Sequence, residues 1–418
     1  MGKTYFPTWK EVRNTLKENE LAIEFIEFPL WNQSKTIYVA LTLRKEYEAP
    51  HLVPIATNEC LDTLSDYNTY SNGLLYRLIW EPLKKELTDI DNVYFSPVGK
   101  LHILGIENAI PPVSGRNMQQ ANFIRLSSTR ELISIDSDNT NTRKAALYGG
   151  LRYSVKKETL EDCPKDSDII YNKDNERMKQ FKGSLEDISE ETSIEIDSIA
   201  NILINNSYVL IVFREQEGTE ESFKALSGRQ MTIIHVSTHG FYWDENQAEE
   251  KLNEKHMDFL QEMSAVYSEE DRALSRSGLL LSGSKSALDG YKVAQDMEDG
   301  ILTAREIAKL DFDNVDLVSL SACQTGLGDL MSSEGVFGLQ RGFKKAGAKS
   351  ILMTLWEVDD VATRLFMTEF YRLFLSTGNK LQALKGAQQY LRNYQDEEKR
   401  KCYNNPKYWA AFILLDAN

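Results

Sequence analysis

Two short segments hold residue types that together can break an acyl bond. Ser237-Thr238-His239-Gly240 follows an apolar run at 231–236, and Ser321-Ala322-Cys323-Gln324-Thr325-Gly326-Leu327-Gly328 follows another at 315–320. A free thiol ionises near about pH 8.5, so only a few per cent is thiolate at neutral pH. An adjacent imidazole raises that share or takes the proton during attack. Gly240 permits close backbone approach, and its N–H with that of Cys323 can form an oxyanion hole, commonly worth about 3–4 kcal/mol per donor. Gly326 and Gly328 leave the far side of the cysteine open to an extended peptide. Singly, each residue has a plainer reading: a capping or core histidine, and a small buried cysteine. His239 and Cys323 are far apart in sequence, so only the fold can join them.

The elements that must position them are legible as buried strands. Tyr208–Phe213, Met231–Val236, Val315–Leu320, Lys349–Leu355 and Ala411–Leu415 are short, nearly continuous apolar runs, the pattern of strands covered on both faces of a parallel sheet. Helical spacing lies between several of them, at 184–204, 335–346 (after a Ser-Ser-Glu start suited to an N-cap), 361–375 and 381–391. Earlier, Leu21–Phe28, Thr36–Leu43 and Asn92–Val98 read as strands and 58–87 as helical; 111–141 reads as a polar connection. Lys144–Tyr153 opens a second unit as a strand and a glycine turn, and 154–182 reads as a solvated loop. The expected fold class is therefore α/β, with a mainly parallel sheet covered by helices on both faces. In such sheets functional groups collect at the carboxyl ends of the strands, where both chemical segments fall.

Composition narrows the function classes. Of 418 residues, 42% are hydrophobic and 27% charged, ordinary for a globular protein of two or three domains. The net charge of −15 disfavours direct binding to phosphate backbones, and nothing in the sequence suggests a membrane partner. The four cysteines, Cys60, Cys163, Cys323 and Cys402, form no CxxC pair, so no metal site and no cofactor is expected. Dispersed cysteines and an opening stretch without an export-type apolar core lead to the expectation of a cytoplasmic protein. A nucleotide-binding reading fails because GLGDLMSSEG lacks the phosphate-binding lysine.

The segments VSTHGF and LSACQTGLGD resemble the two catalytic motifs of CHAT-domain peptidases, relatives of caspases and separases. The likeness extends through VYFSPVGKLHILGIENA, SRSGLLLSG, DGILTAREI, EGVFGLQRGFKKAGAKSILMTLWEVDDVAT, FMTEFYRLFL, ALKGAQQYLR and NPKYWAAFILL, covering roughly 90–418. It implies a caspase-type sheet, with a degenerate caspase-like lobe over 1–140 and a catalytic lobe over 141–418. It also implies that His239 is the general base and Cys323 the nucleophile of a cysteine endopeptidase acting on a protein substrate. Many CHAT domains follow tetratricopeptide repeats that sense a partner. This sequence shows none, so a separate regulatory protein, a lost segment or its own loops would have to switch it. The competing reading is a catalytically silent caspase-like interaction module.

Trp356-Glu357-Val358-Asp359-Asp360 follows a buried run and resembles the separase block whose carboxylate lines a pocket for a basic side chain. That likeness makes Asp360, with Trp356 and Asp359, the candidate substrate-binding residues. The plainer reading is that Asp360 caps a helix starting near Val361. Residues 244–276 carry ten acidic and four basic side chains and read as a solvated helical excursion. The alternative is an activation loop, with Arg272 and Arg276 as self-cleavage sites. Several other residues read as structural: His235 as a hydrogen-bonded core residue, Trp243 as packing, and His102 and His51 as lacking a partner.

Overall fold

The computed structural model describes residues 7–30, 35–64, 66–111, 121–133, 142–154, 190–243, 268–288, 298–321, 328–331, 335–396 and 401–417. Internal packing divides the chain into two units: Met1–Asn141 with Asp329–Phe337 and Lys349–Asn418, and Thr142–Gly328 with Gly338–Ala348. Residues 349–418 pack with the N-terminal residues, whereas the sequence reading carries the second lobe through them.

In the first unit, β1 (Glu20–Pro29), β2 (Thr36–Leu43), β3 (His51–Thr57), β4 (Asn92–Ser96) and β5 (Asn122–Arg125) lie in the order β3-β2-β1-β4-β5. Strands Phe412–Leu415 and Ser350–Thr354 follow β5. β1, β4 and β5 run parallel, and the β3-β2-β1 meander is antiparallel. Trp80, fully buried, packs edge-on against Phe25 and Phe95 at centroid distances of 6.2 and 5.6 Å. Phe366 of helix Asp360–Thr377 stacks on Phe412 at 3.6 Å and fixes that helix to the sheet.

The second unit holds the strands that bear on the chemistry. They are β6 (Lys144–Leu151), β7 (Val209–Glu215), β8 (Ile233–Ser237), β9 (His239–Tyr242), β10 (Ser277–Leu280), β11 (Ile301–Thr303) and β12 (Leu317–Ser321). The order β12-β8-β6-β7 is parallel throughout, and every residue of β8 and β12 is buried. Helix Glu190–Asn205 covers β6, and Ile196 seats against Gly149, where a Cβ would come within 2.3 Å of it. Phe223, Phe312 and Phe343 form a fully buried aromatic group beside them. β9, β10 and β11 make a separate antiparallel sheet in the order β11-β10-β9.

The α/β class and the buried strands are as expected, with boundaries shifted by one or two residues. Four local readings change. The polar connection at 111–141 contains β5, and β3 was not expected. The helical stretch 58–87 is broken into short pieces, because Gly73 adopts φ 77° ahead of helix Leu74–Ile79. Finally, 335–338 is strand, and helix Leu339–Lys345 starts after Gly338; the Ser-Ser-Glu segment lies outside the described residues. No described helix is long and apolar enough to cross a membrane.

Gly278 is where the antiparallel sheet is tightest. A Cβ there would meet the Leu302 carbonyl oxygen at 2.5 Å and the Phe241 ring at 2.7 Å. Backbone cannot yield as a flexible side chain does, so Gly278→Ala is expected to cost about 1–3 kcal/mol. The denaturation midpoint measures it; an unchanged midpoint would mean that β10 sits looser than these distances.

Candidate active site

β8 and β12 are adjacent parallel strands, paired from Leu317 with Ile233 to Ser321 with Ser237. Their carboxyl ends therefore finish level. Ser237 and Ser321 thus stand side by side at one edge of the sheet. His239 lies two positions beyond Ser237. Cys323, two positions beyond Ser321, lies outside the described residues.

His239 begins β9 instead of sitting in a loop, as the sequence reading had it. Thr238, 5% exposed, makes the corner: its hydroxyl donates to the Leu280 carbonyl and contacts the Tyr153 hydroxyl at 2.9 Å. The Tyr153 ring lies 5.2 Å from the His239 ring, tilted by 44°. Burial holds the imidazole below the ordinary histidine pKa of 6.5, so it is neutral, and a proton acceptor, at neutral pH. Among the described residues, no hydrogen bond or ion pair engages that imidazole.

The backbone of Gly240 follows from the ladder. Trp243 N–H donates to the Arg276 carbonyl at 2.8 Å, making that pair hydrogen-bonded. Pairs alternate along an antiparallel ladder, so Gly240, opposite Leu279, falls at a non-hydrogen-bonded position. Its N–H turns away from β10, off the outer strand of the sheet.

Trp356, Asp359 and Asp360 belong to the first unit. Trp356 packs against Tyr67 and Tyr70 at 5.1 and 5.6 Å and donates from Nε1 to the Lys407 carbonyl at 3.0 Å. Asp359, not Asp360, is the N-cap, because its extended backbone brings Oδ1 to the Ala362 N–H at 3.2 Å. Its other oxygen accepts from Lys401 Nζ at 2.8 Å. Asp360 is the first helical residue and is exposed.

Arg272 lies within helix Glu269–Ser275, and Arg276 ends it with its side chain buried and its carbonyl in the hairpin ladder. His235 behaves as expected: Nε2 lies 3.0 Å from Glu195 Oε1, both fully buried. Trp243 is 4% exposed and packs on Phe241. His51, expected to lack a partner, stacks on Tyr47 at 3.9 Å and faces Glu86 at 3.6 Å.

One charged group escaped the sequence reading. Glu220, Glu298 and Glu306 bring carboxylate oxygens within 4.8 Å of one another, a spacing that could hold a metal ion. Lys224 Nζ occupies that role, at 2.8, 2.7 and 2.9 Å from the three. The cluster ties helix Glu220–Lys224 to the entry of β11, since Gly300 N–H donates to Glu220 at 3.1 Å and Glu298 N–H to Glu221 at 2.7 Å. These residues are some 80 positions apart, with no short motif to reveal them.

Among solved structures, the Arg-specific cysteine proteinase gingipain R aligns at 9% identity over 80% of this chain and 65% of its own, with TM-score 0.42. The Saccharomyces cerevisiae separase–securin complex aligns at 10% identity over 97% of this chain and 30% of that one, with TM-score 0.47. Among curated proteins, tetratricopeptide repeat protein 28 of Homo sapiens is 29% identical over 134 residues. Its Mus musculus counterpart is 31% identical over 118 residues. These stretches cover 32% and 28% of this chain but only 5% and 4% of the relatives. The CHAT domain model matches residues 71–417, most of the sequence and both chemical segments, and the chain belongs to the CHAT domain family.

Proposed function

We propose that this chain is a cysteine endopeptidase that hydrolyses a specific protein partner, with Cys323 as nucleophile and His239 as base. The level pairing of Ser237 with Ser321 supports it most. Neighbouring strands lie about 4.8 Å apart. Two further residues reach at most about 7 Å, so a side chain from each strand end can meet its counterpart. His239 takes the thiol proton as sulfur attacks the scissile carbonyl carbon. The carbonyl oxygen becomes an oxyanion accepting from the N–H groups of Gly240 and Cys323. Collapse breaks the C–N bond, His239 returns the proton to the departing amine, and water then hydrolyses the thioester. The chemistry needs a free thiol, which fits a reducing cytoplasm.

A preference for a basic residue beside the scissile bond would rest on Asp360. An exposed carboxylate contributes only about 0–1 kcal/mol to such a pair, so this part of the reading loses its strongest support. Self-processing narrows similarly. Cleavage after Arg276 would require the hairpin to open, which leaves Arg272 the better candidate. Wild type and Cys323→Ala are expected to show no mass difference corresponding to a cut after Arg276; a Cys323-dependent cut there would reverse that. Switching by a separate protein remains part of the proposal.

The test is covalent labelling by a peptide carrying a thiol-reactive electrophile. Labelling is expected in the wild type and lost in Cys323→Ala. Labelling that persists in Cys323→Ala overturns the assignment of the nucleophile. An unlabelled wild type, with and without candidate partner proteins, favours the silent module.

A further inference from the structure

β7 ends the parallel sheet of the second unit, with β6 on one side and no strand on the other among the described residues. Natural sheet edges are usually blunted by charge, proline or a bulge, because an open row of N–H and C=O groups templates pairing with another chain. β7 instead runs Val209-Leu210-Ile211-Val212-Phe213 before its first charge, and Arg214 is engaged by Asp197 at 2.6 Å. Val209 is 66% exposed, and Leu210 to Phe213 are only half-buried.

The direction of the free groups follows from the ladder. Val209 N–H donates to the Arg143 carbonyl at 2.8 Å. In a parallel pair, alternate residues turn both polar groups to the partner. Val209 and Ile211 therefore face β6, while Leu210 and Val212 present N–H and C=O to the open side. Beside this edge is a cleft of about 320 Å³ lined by Lys144, Val209, Ile211, Arg229 and Met231. Lys144 pairs with Val209 across the ladder, so both side chains stand on the cleft's face. The walls are apolar, and the two cations flank them in a chain of net charge −15. Among the described residues neither cation makes an ion pair. The cleft lies at the starts of β6, β7 and β8, whereas His239 follows the end of β8.

We infer that β7 is a docking edge for a protein partner: an extended segment adds to it as a further strand, placing alternate apolar side chains in the cleft and a carboxylate against Lys144 and Arg229. Main-chain bonds to Leu210 and Val212 supply affinity, and the cleft with its two cations supplies selectivity. The partner segment is apolar at alternate positions and acidic at one end. This holds whether or not the chain cleaves anything.

The probe is a fluorescent nine-residue peptide alternating valine and threonine with two glutamates at one end, compared with the same peptide carrying two lysines. Anisotropy at low salt is expected to show the acidic peptide binding at least tenfold tighter, and Arg229→Glu is expected to reverse that order. Arg229 is exposed and outside the core, so the variant folds, and Val212→Pro, which removes an outward N–H, is expected to abolish binding of either peptide. Amide exchange at Leu210 and Val212 slows with the acidic peptide bound. Equal binding of the two peptides, no saturable binding, or indifference to Arg229→Glu each overturns the inference. A wild-type dimer that Val212→Pro dissolves assigns the edge to a second copy and overturns it as well.

Discussion

Replacing His239 by alanine lowers the rate of electrophile labelling by a factor of about 10²–10⁴, the usual contribution of a positioned general base, without altering the free energy of unfolding by more than about 1 kcal/mol. The imidazole is buried and lacks a hydrogen-bonding side chain among the described residues, so truncation removes a base and strands no partner. pH separates this role from a structural one. Burial lowers the His239 pKa, so the base is neutral and competent above 6.5 and is protonated only further down. The wild-type rate is therefore expected to fall with acidification through a midpoint below 6.5, the sign being loss of activity as pH decreases. In His239→Ala that limb disappears, and the residual rate climbs with the thiol's own ionisation near about pH 8.5. A variant with the same acid limb as the wild type would show that His239 is not the base.

Much of this arrangement is legible in the sequence, and the reasons are local. A strand buried on both faces needs apolar residues throughout, so β8 and β12 stand out from residue type alone. Helices 360–377 and 380–393 carry enough turns for their period to show. β5 has four residues inside a polar stretch, and its place depends on parallel pairing with β4, which no local pattern encodes. The hairpin carrying His239 is hidden for a similar reason: its partner, β10, lies more than thirty residues on, beyond an acidic excursion. At Asp359-Asp360 the residue type was right and the position wrong by one. Which of two adjacent aspartates caps the helix depends on which has extended backbone, and φ −53°, ψ 131° belongs to Asp359.

Substituting methionine for Lys224 is expected to destabilise the second unit by about 3–5 kcal/mol near neutral pH, the cost of removing one partner from a largely buried ionic group. Glu220 is 1% exposed and Glu306 29%, so water cannot take over the ammonium's work at the inner oxygens. With three carboxyls around one cation and Asp299 interacting with the same glutamates, full ionisation is unfavourable even in the native protein. Burial first, and then the charge of Glu306, pushes the Glu220 carboxyl up, and burial raises Asp299 to about 6. A carboxyl with a raised folded pKa binds more protons folded than unfolded. Its stabilising contribution is thus full below the ordinary carboxyl range and is lost as pH rises through the raised values, from about 6 upward. Without Lys224 the repulsion among the ionised groups is unopposed, so the penalty grows from pH 5 to pH 8. A neutral methionine of similar length isolates charge from packing: a penalty that is flat over that range would assign the lysine's contribution to its aliphatic stem. The consequence reaches the candidate active site through hydrogen bonds alone. Lys224 and Glu220 hold Glu298 and Gly300 at the entry of β11, β11 pairs with β10, and β10 carries the β9 strand that begins at His239. A loosened cluster should therefore slow labelling while leaving the midpoint of its acid limb in place, because the base itself is untouched.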